Sequence, residues 1–137
     1  MTGIVVDTDV VSYLLKDDTR AEYYRPLLKN RTLIVSFMTI AEMDRWALAR
    51  QWGTTRRFYY EKFMEQFIIQ PSNRSLCALW ANITETLRQQ GLIITCGDAW
   101  IAATAVQLDI PLMTHNARHY SAIDGLSLIS QNTDSKH

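Results

Sequence analysis

Short apolar runs alternate along this chain with stretches whose apolar residues recur every three or four positions. Ile4–Val6, Leu33–Phe37, Phe67–Ile69 and Leu112–Thr114 are continuously apolar and rich in β-branched residues. Such runs predict strands covered on both faces, since half-exposed strands would alternate apolar with polar. Leu126–Ile129 is a weaker fifth strand. The clearest helix carries Leu76, Leu79, Trp80, Ile83 and Leu87 on one stripe and ends at Gly91, a residue suited to the left-handed position past a helix. Another opens at Gly97-Asp98, carries Ile101, Ala102, Ala105 and Leu108, and cannot pass Pro111. Thr39–Trp52 and Thr54–Phe67, joined at Gly53, predict a helical hairpin, while Val10–Leu15 and Ala21–Lys29 are shorter helices, the second interrupted by Pro26. Strands alternating with helices predict an α/β/α domain with a central, mostly parallel sheet flanked by helices.

Composition narrows the class without changing the fold. The 137 residues hold 14 Lys+Arg and 14 Asp+Glu, 47% apolar residues, and only 5 Gly and 3 Pro. That is the make-up of one globular domain, taken here as residues 1–130, with 131–137 expected to form a frayed tail lacking an apolar anchor. No charge-free apolar stretch approaches the roughly 18 residues of a membrane span. The run Ile4-Val5-Val6 stops at Asp7 and has no basic residues before it, so no secretory leader is expected. Cys77 and Cys96 are not in Cys-x-x-Cys spacing and read as reduced thiols, which points to the cytoplasm. A zero net charge means that any nucleic-acid contact must be local rather than spread over the surface.

The acidic residues carry the chemistry. In an open parallel sheet, ligands bind beyond the carboxyl ends of the strands. Asp7 follows the first strand, Glu42 is placed in the first turn of the helix after the second, and Asp98 opens the helix leading to the fourth. Asn116 and His119 follow that fourth strand. First-turn acids are also favoured by capping and by the helix dipole, so no one of them is diagnostic; their convergence at one rim is. Carboxylates gathered without lysines repel one another, and a hard divalent cation held by oxygen ligands, Mg²⁺ or Mn²⁺, relieves this. Such a site suits phosphodiester hydrolysis by an activated water.

Four motifs run in order: I-V-V-D-T-D (Ile4 to Asp9), T-I-A-E-M (Thr39 to Met43), G-D-A-W-I-A-A-T-A (Gly97 to Ala105) and T-H-N-A-R-H-Y (Thr114 to Tyr120). Together they resemble the PIN-domain nucleases, specifically the VapC-type toxins of bacterial toxin–antitoxin pairs, from Ile4 to about Ile129. The resemblance implies a metal-dependent endoribonuclease with Asp7, Glu42 and Asp98 as metal ligands and Thr114 shaping the pocket floor. It also implies a cognate antitoxin and a homodimer. Two positions depart from the family pattern. Asp9 stands where relatives usually have Asn, and a helix starting at Thr8 would turn it away from the site. Asn116 and His119 occupy places where relatives often carry an acid. His119 fits a role in holding a metal-bound water or a phosphate, with a charge that changes near neutral pH.

The hairpin carries Arg45, Arg50, Arg56, Arg57 and Lys62 among Trp46, Trp52, Phe58, Tyr59 and Tyr60. Arg with aromatics suits single-stranded RNA, through phosphate pairing and base stacking, and equally suits an antitoxin interface. Two other functions fit parts of the sequence. A PIN-like module that binds RNA or protein without cleaving fits the altered fourth motif. A haloacid-dehalogenase-like phosphatase, with Asp7 as nucleophile and Asp9 as general acid, fits Asp7-Thr8-Asp9-Val10-Val11. That family's second acid would fall at Ala102 or Ala103, and no lysine lies between Pro71 and Thr114.

Overall fold

A computed structural model describes residues 2–132. The strands are β1 (Thr2–Val6), β2 (Arg31–Ser36), β3 (Ile68–Gln70), β4 (Leu112–Met113) and β5 (Leu128–Ile129). They form one sheet in the order β3-β2-β1-β4-β5, every neighbouring pair parallel. Successive β1 side chains point to opposite faces and serve two cores. Ile4 and Val6 pack with helices α1 (Thr8–Lys16) and α3 (Phe37–Ala49), whereas Val5 packs with α5 (Arg74–Gln89) and α6 (Cys96–Leu108). Burial on both faces explains why the strands read as continuous apolar runs.

The element ends follow local chemistry. Asn73, Ser36 and Thr95 cap α5, α3 and α6 by accepting from the backbone N–H groups of Leu76, Met38 and Asp98. Gly91, at φ +77°, takes the left-handed conformation after α5. Several boundaries differ from the sequence expectation, two of them for evident chemical reasons. Phe37 begins α3 rather than ending β2, because Ser36 turns the chain. Glu42 therefore sits in the second turn of α3, not the first. The helix expected over Ala21–Lys29 becomes α2 (Ala21–Tyr24) followed by a 3₁₀ turn at Arg25–Leu28, since Pro26 lacks the N–H that an α-helix would need.

The second helix of the hairpin, α4 (Thr54–Met64), follows the turn at Gly53. It is fastened to α3 by the Tyr60 hydroxyl donating to Asp44 (3.0 Å), and to the connection between the two helices by the edge-on contact of Tyr60 with Trp52. Of the residues placed in the tail, Gln131 and Asn132 are anchored. The Gln131 N–H donates to the Tyr24 hydroxyl (3.2 Å), and the Asn132 amide donates to the His115 carbonyl (2.8 Å). The remaining residues, 133–137, lie outside those described. Among the described residues no helix is long and apolar enough to cross a membrane.

Candidate active site

The strand order changes direction beside β1, where β2 lies on one side and β4 on the other. Connections leave that junction on opposite faces and open a crevice at the carboxyl ends of the strands. A cleft of about 380 Å³ occupies it, and Asp7, Asp9, Glu42 and Asp98 all line it, with Arg45, Trp46, Asn116 and His119. Four acids from three separate stretches of sequence thus share one cavity.

Asp7 continues the central ladder, its N–H donating to the Met113 carbonyl (2.9 Å). Its carboxylate is buried and hydrogen-bonded at both oxygens. Oδ1 accepts from the Thr8 N–H (2.7 Å), and Oδ2 accepts from the Thr114 hydroxyl (2.7 Å). The Tyr120 hydroxyl lies 3.0 Å from the same Oδ2 and 3.1 Å from Asp98 Oδ1. On the other Asp98 oxygen, Oδ2, sits His119 Nδ1 at 3.1 Å. Glu42 reaches the cleft from α3, and the Thr8 hydroxyl donates to its Oε1 (2.6 Å) while lying 2.9 Å from the Thr39 hydroxyl. A Cβ on Gly97 would come within 2.7 Å of Glu42 Oε2, so glycine is what lets this carboxylate pass over the start of α6.

Asp9 departs from expectation. The helix does start at Thr8, yet Asp9 lines the cleft instead of turning away. The segment after β4 holds it there. Asp9 Oδ2 accepts from the His115 N–H (3.1 Å) and the Asn116 amide (2.8 Å), while Oδ1 accepts from the Val10 N–H (2.6 Å). Asn116 therefore serves Asp9, and Thr114 serves Asp7. The arginines divide. Arg45 and Trp46 line the cleft; Arg50 lies over the Trp46 ring (5.3 Å), outside the cleft lining. Arg56 lies over Trp52 (5.2 Å) in a separate hollow with Leu15, Lys16 and Tyr59. Arg57 lines neither cavity. Thr8, Thr39 and Tyr120 are the contributors that were not assigned from sequence. All three stood inside the quoted motifs, and a hydroxyl beside an acid was the available signal.

The electrostatics are those of a crowded anionic site. Burial, then the nearby charges of Asp9 and Asp98, push the Asp7 carboxyl well above its ordinary value. Burial also raises Asp9 and Glu42, with Asp98 adding repulsion to both. Among the described residues, no three acid, His or Cys side chains are gathered tightly enough to hold one ion between them. The donors offered are carboxylate oxygens, with Asp7 and Asp98 bridged by one hydroxyl. That set fits a hard cation held by one or two carboxylates and otherwise by water, the usual manner of Mg²⁺.

Comparison with known proteins gives the family. The PIN domain profile matches residues 4–126. The chain belongs to the PIN-domain family. It is 32% identical to Ribonuclease VapC1 of Haemophilus influenzae strain R2866, over 89% of this chain and 92% of that protein. The structure of VapBC-1 from nontypeable Haemophilus influenzae superposes with a TM-score of 0.75 at 28% identity, covering 93% of this chain and 96% of that one. VapBC2 from Rickettsia felis, solved bound to a promoter DNA fragment, shares the fold with a TM-score of 0.83 at 22% identity, covering 93% and 97%. PIN-domain ribonucleases of the VapC kind depend on divalent metal. Membership in this family removes the haloacid-dehalogenase alternative, in which Asp9 would have been a general acid. In this PIN domain its Oδ2 instead ties α1 to the segment after β4.

Proposed function

We propose that this PIN domain is a metal-dependent endoribonuclease, the VapC-type toxin of a toxin–antitoxin pair, acting in the cytoplasm with Mg²⁺ or Mn²⁺. The observation that carries the reading is the convergence of Asp7, Glu42 and Asp98 on one cleft where burial and mutual repulsion raise the carboxyl pKa values of Asp7 and Glu42. Asp7 and Asp98 hold the ion. When bound, it supplies charge that offsets these anions and acidifies water for attack on phosphorus. Glu42, with Oε1 fixed by Thr8, orients the attacking water through Oε2. His119 faces Asp98 and keeps that carboxylate turned toward the cleft. Arg45, beside Glu42 in the lining, pairs with a substrate phosphate, and Trp46 offers a stacking face. The nucleophile is water, so preference for RNA comes from binding contacts and not from the 2′-hydroxyl.

The partners that follow are an RNA substrate, a cognate antitoxin and a second copy of this chain. Arg50 and Arg56 on their tryptophans, with Arg57 and the exposed Phe58 and Tyr59, form the surface for RNA or antitoxin beyond the cleft. The second reading, a binding module that does not cleave, is favoured by one observation: among the described residues no three acid, His or Cys side chains gather closely enough to hold one ion between them.

The test is incubation of purified, partner-free protein with total bacterial RNA, with Mg²⁺ or Mn²⁺ and with chelator, alongside Asp7→Asn. Discrete fragments requiring both metal and Asp7 establish the nuclease. Intact RNA together with no metal binding by calorimetry transfers the assignment to the binding module.

A further inference from the structure

One buried side chain at the site has no part in the roles above. Tyr120 is 1% exposed, and its ring packs in the core with Leu76, Ile101 and Leu112. Only its hydroxyl reaches the acids, 3.0 Å from Asp7 Oδ2 and 3.1 Å from Asp98 Oδ1. Three stretches remote in sequence meet at this oxygen: the end of β1, the first turn of α6 and the segment after β4.

The last torsion of an aspartate side chain is broad, so nothing within Asp7 or Asp98 fixes the direction of its carboxylate. Two neighbouring anions then relieve their repulsion by rotating apart. A hydroxyl within reach of both, its one proton shared between the two facing oxygens, closes that freedom, provided the hydroxyl cannot move. The Tyr120 ring is enclosed on its apolar side, so its oxygen stays where the core puts it. The remaining oxygens are oriented as well, Asp7 Oδ1 by the Thr8 N–H and Asp98 Oδ2 by His119. Residues 119 and 120 thus grip Asp98 at both oxygens from one short segment, at a place in the motif that offers no carboxylate of its own.

We propose that Tyr120 is a positioning residue for the cation site: its hydroxyl tethers Asp7 Oδ2 and Asp98 Oδ1, so that the core sets the spacing of the two carboxylates before any ion arrives. This rests on the assignment of Asp7 and Asp98 to the cation. Hydrogen-bond partners that orient metal ligands typically change metal affinity by about 10–100-fold when removed, and the tether belongs to that class.

Tyr120→Phe removes the oxygen and keeps the ring, so packing is preserved. Metal-free wild type, Tyr120→Phe and Asp7→Asn are titrated with Mn²⁺ by calorimetry, and RNA cleavage is then followed against Mn²⁺ concentration. Wild type binds, Asp7→Asn does not, and Tyr120→Phe binds with Kd raised by about 10–100-fold. At saturating Mn²⁺ its cleavage rate returns toward wild type, as expected of a residue that positions and does no chemistry. If Tyr120→Phe takes Mn²⁺ as tightly as wild type, or more tightly, the tether is refuted while the acid assignment stands. If wild type itself takes none, the cation reading fails and the tether fails with it.

Discussion

Asp7→Asn separates stability from function in a way that can be worked from the structure. Asp7 Oδ2 and Asp98 Oδ1 both lie about 3 Å from one hydroxyl, so they are at most about 6 Å apart. Two unit charges at that separation repel by roughly 3 kcal/mol at an effective dielectric of 20. Replacing the carboxylate by an amide removes this repulsion and the cost of burying the charge. Against it, the Thr8 N–H loses a charged acceptor, worth roughly 1 kcal/mol. The amide nitrogen displaces an acceptor beside Thr114 and Tyr120, but both partners are hydroxyls that can accept instead. The metal-free variant is therefore more stable than wild type by roughly 1–2 kcal/mol, which raises Tm by about 3–8 °C in a chain of this size.

The pH dependence has a fixed sign. The Asp7 pKa is raised on folding, so its destabilising charge is present in full above the folded pKa, shrinks as pH falls through it, and is gone below the ordinary value of 3.8. The gap between variant and wild type closes on acidification. Contributions of groups remote from Asp7, such as Asp18, whose pairing with Arg20 lowers its pKa, are common to both proteins and cancel. Excess Mn²⁺ reverses the order, because at 100 times Kd it stabilises only the protein that binds it, by about 2.7 kcal/mol. Melting curves in chelator and in Mn²⁺, at neutral pH and near pH 5, test all three statements. A metal-free variant melting at or below wild type at neutral pH, or a gap that widens in acid, refutes the electrostatic account.

Gly97→Ala should keep the fold and impair cleavage. The new Cβ lies 2.7 Å from Glu42 Oε2 and forces that oxygen to move by about 0.7 Å to reach ordinary contact, a displacement of the order that costs roughly 100-fold in rate. Cleavage at the wild-type rate, with Tm also unchanged, would remove Glu42 from the chemistry. Arg45→Ala should weaken RNA binding by the Asp7→Asn protein and reduce its salt slope by about one, whereas Arg57→Ala, outside the cleft, should leave unchanged the slope for an oligonucleotide too short to extend beyond the cleft. Fluorescence anisotropy over a salt series checks both, and equal slopes for wild-type and Arg45→Ala backgrounds would exclude a phosphate contact at Arg45.

What the sequence determined by itself was the alternation of elements and the placement of acids at their ends. Ile4–Val6 is apolar without interruption because both faces of β1 are covered, and that is a local, readable consequence of burial. Asp7 had to fall at a strand end because a charge cannot continue such a run. The boundaries at Ser36 and Pro26 were legible only in part, since capping and the missing proline N–H compete with propensity over one or two residues.

Sheet order and register decided the rest. Parallel pairing of β1 with β4 brings Thr114, Asn116 and Tyr120 against residues more than one hundred positions earlier in the chain. No periodicity records such a juxtaposition. Asp9 illustrates the limit: its place in the helix suggested that it turned away, but donors from His115 and Asn116 hold it in the cleft. Arg45 and Arg56 looked alike in sequence. One lines the acidic cleft from α3, and the other lies in a different hollow on α4. Local patterning reports how each element is buried, while the chemistry of a site depends on which element ends the tertiary structure makes neighbours.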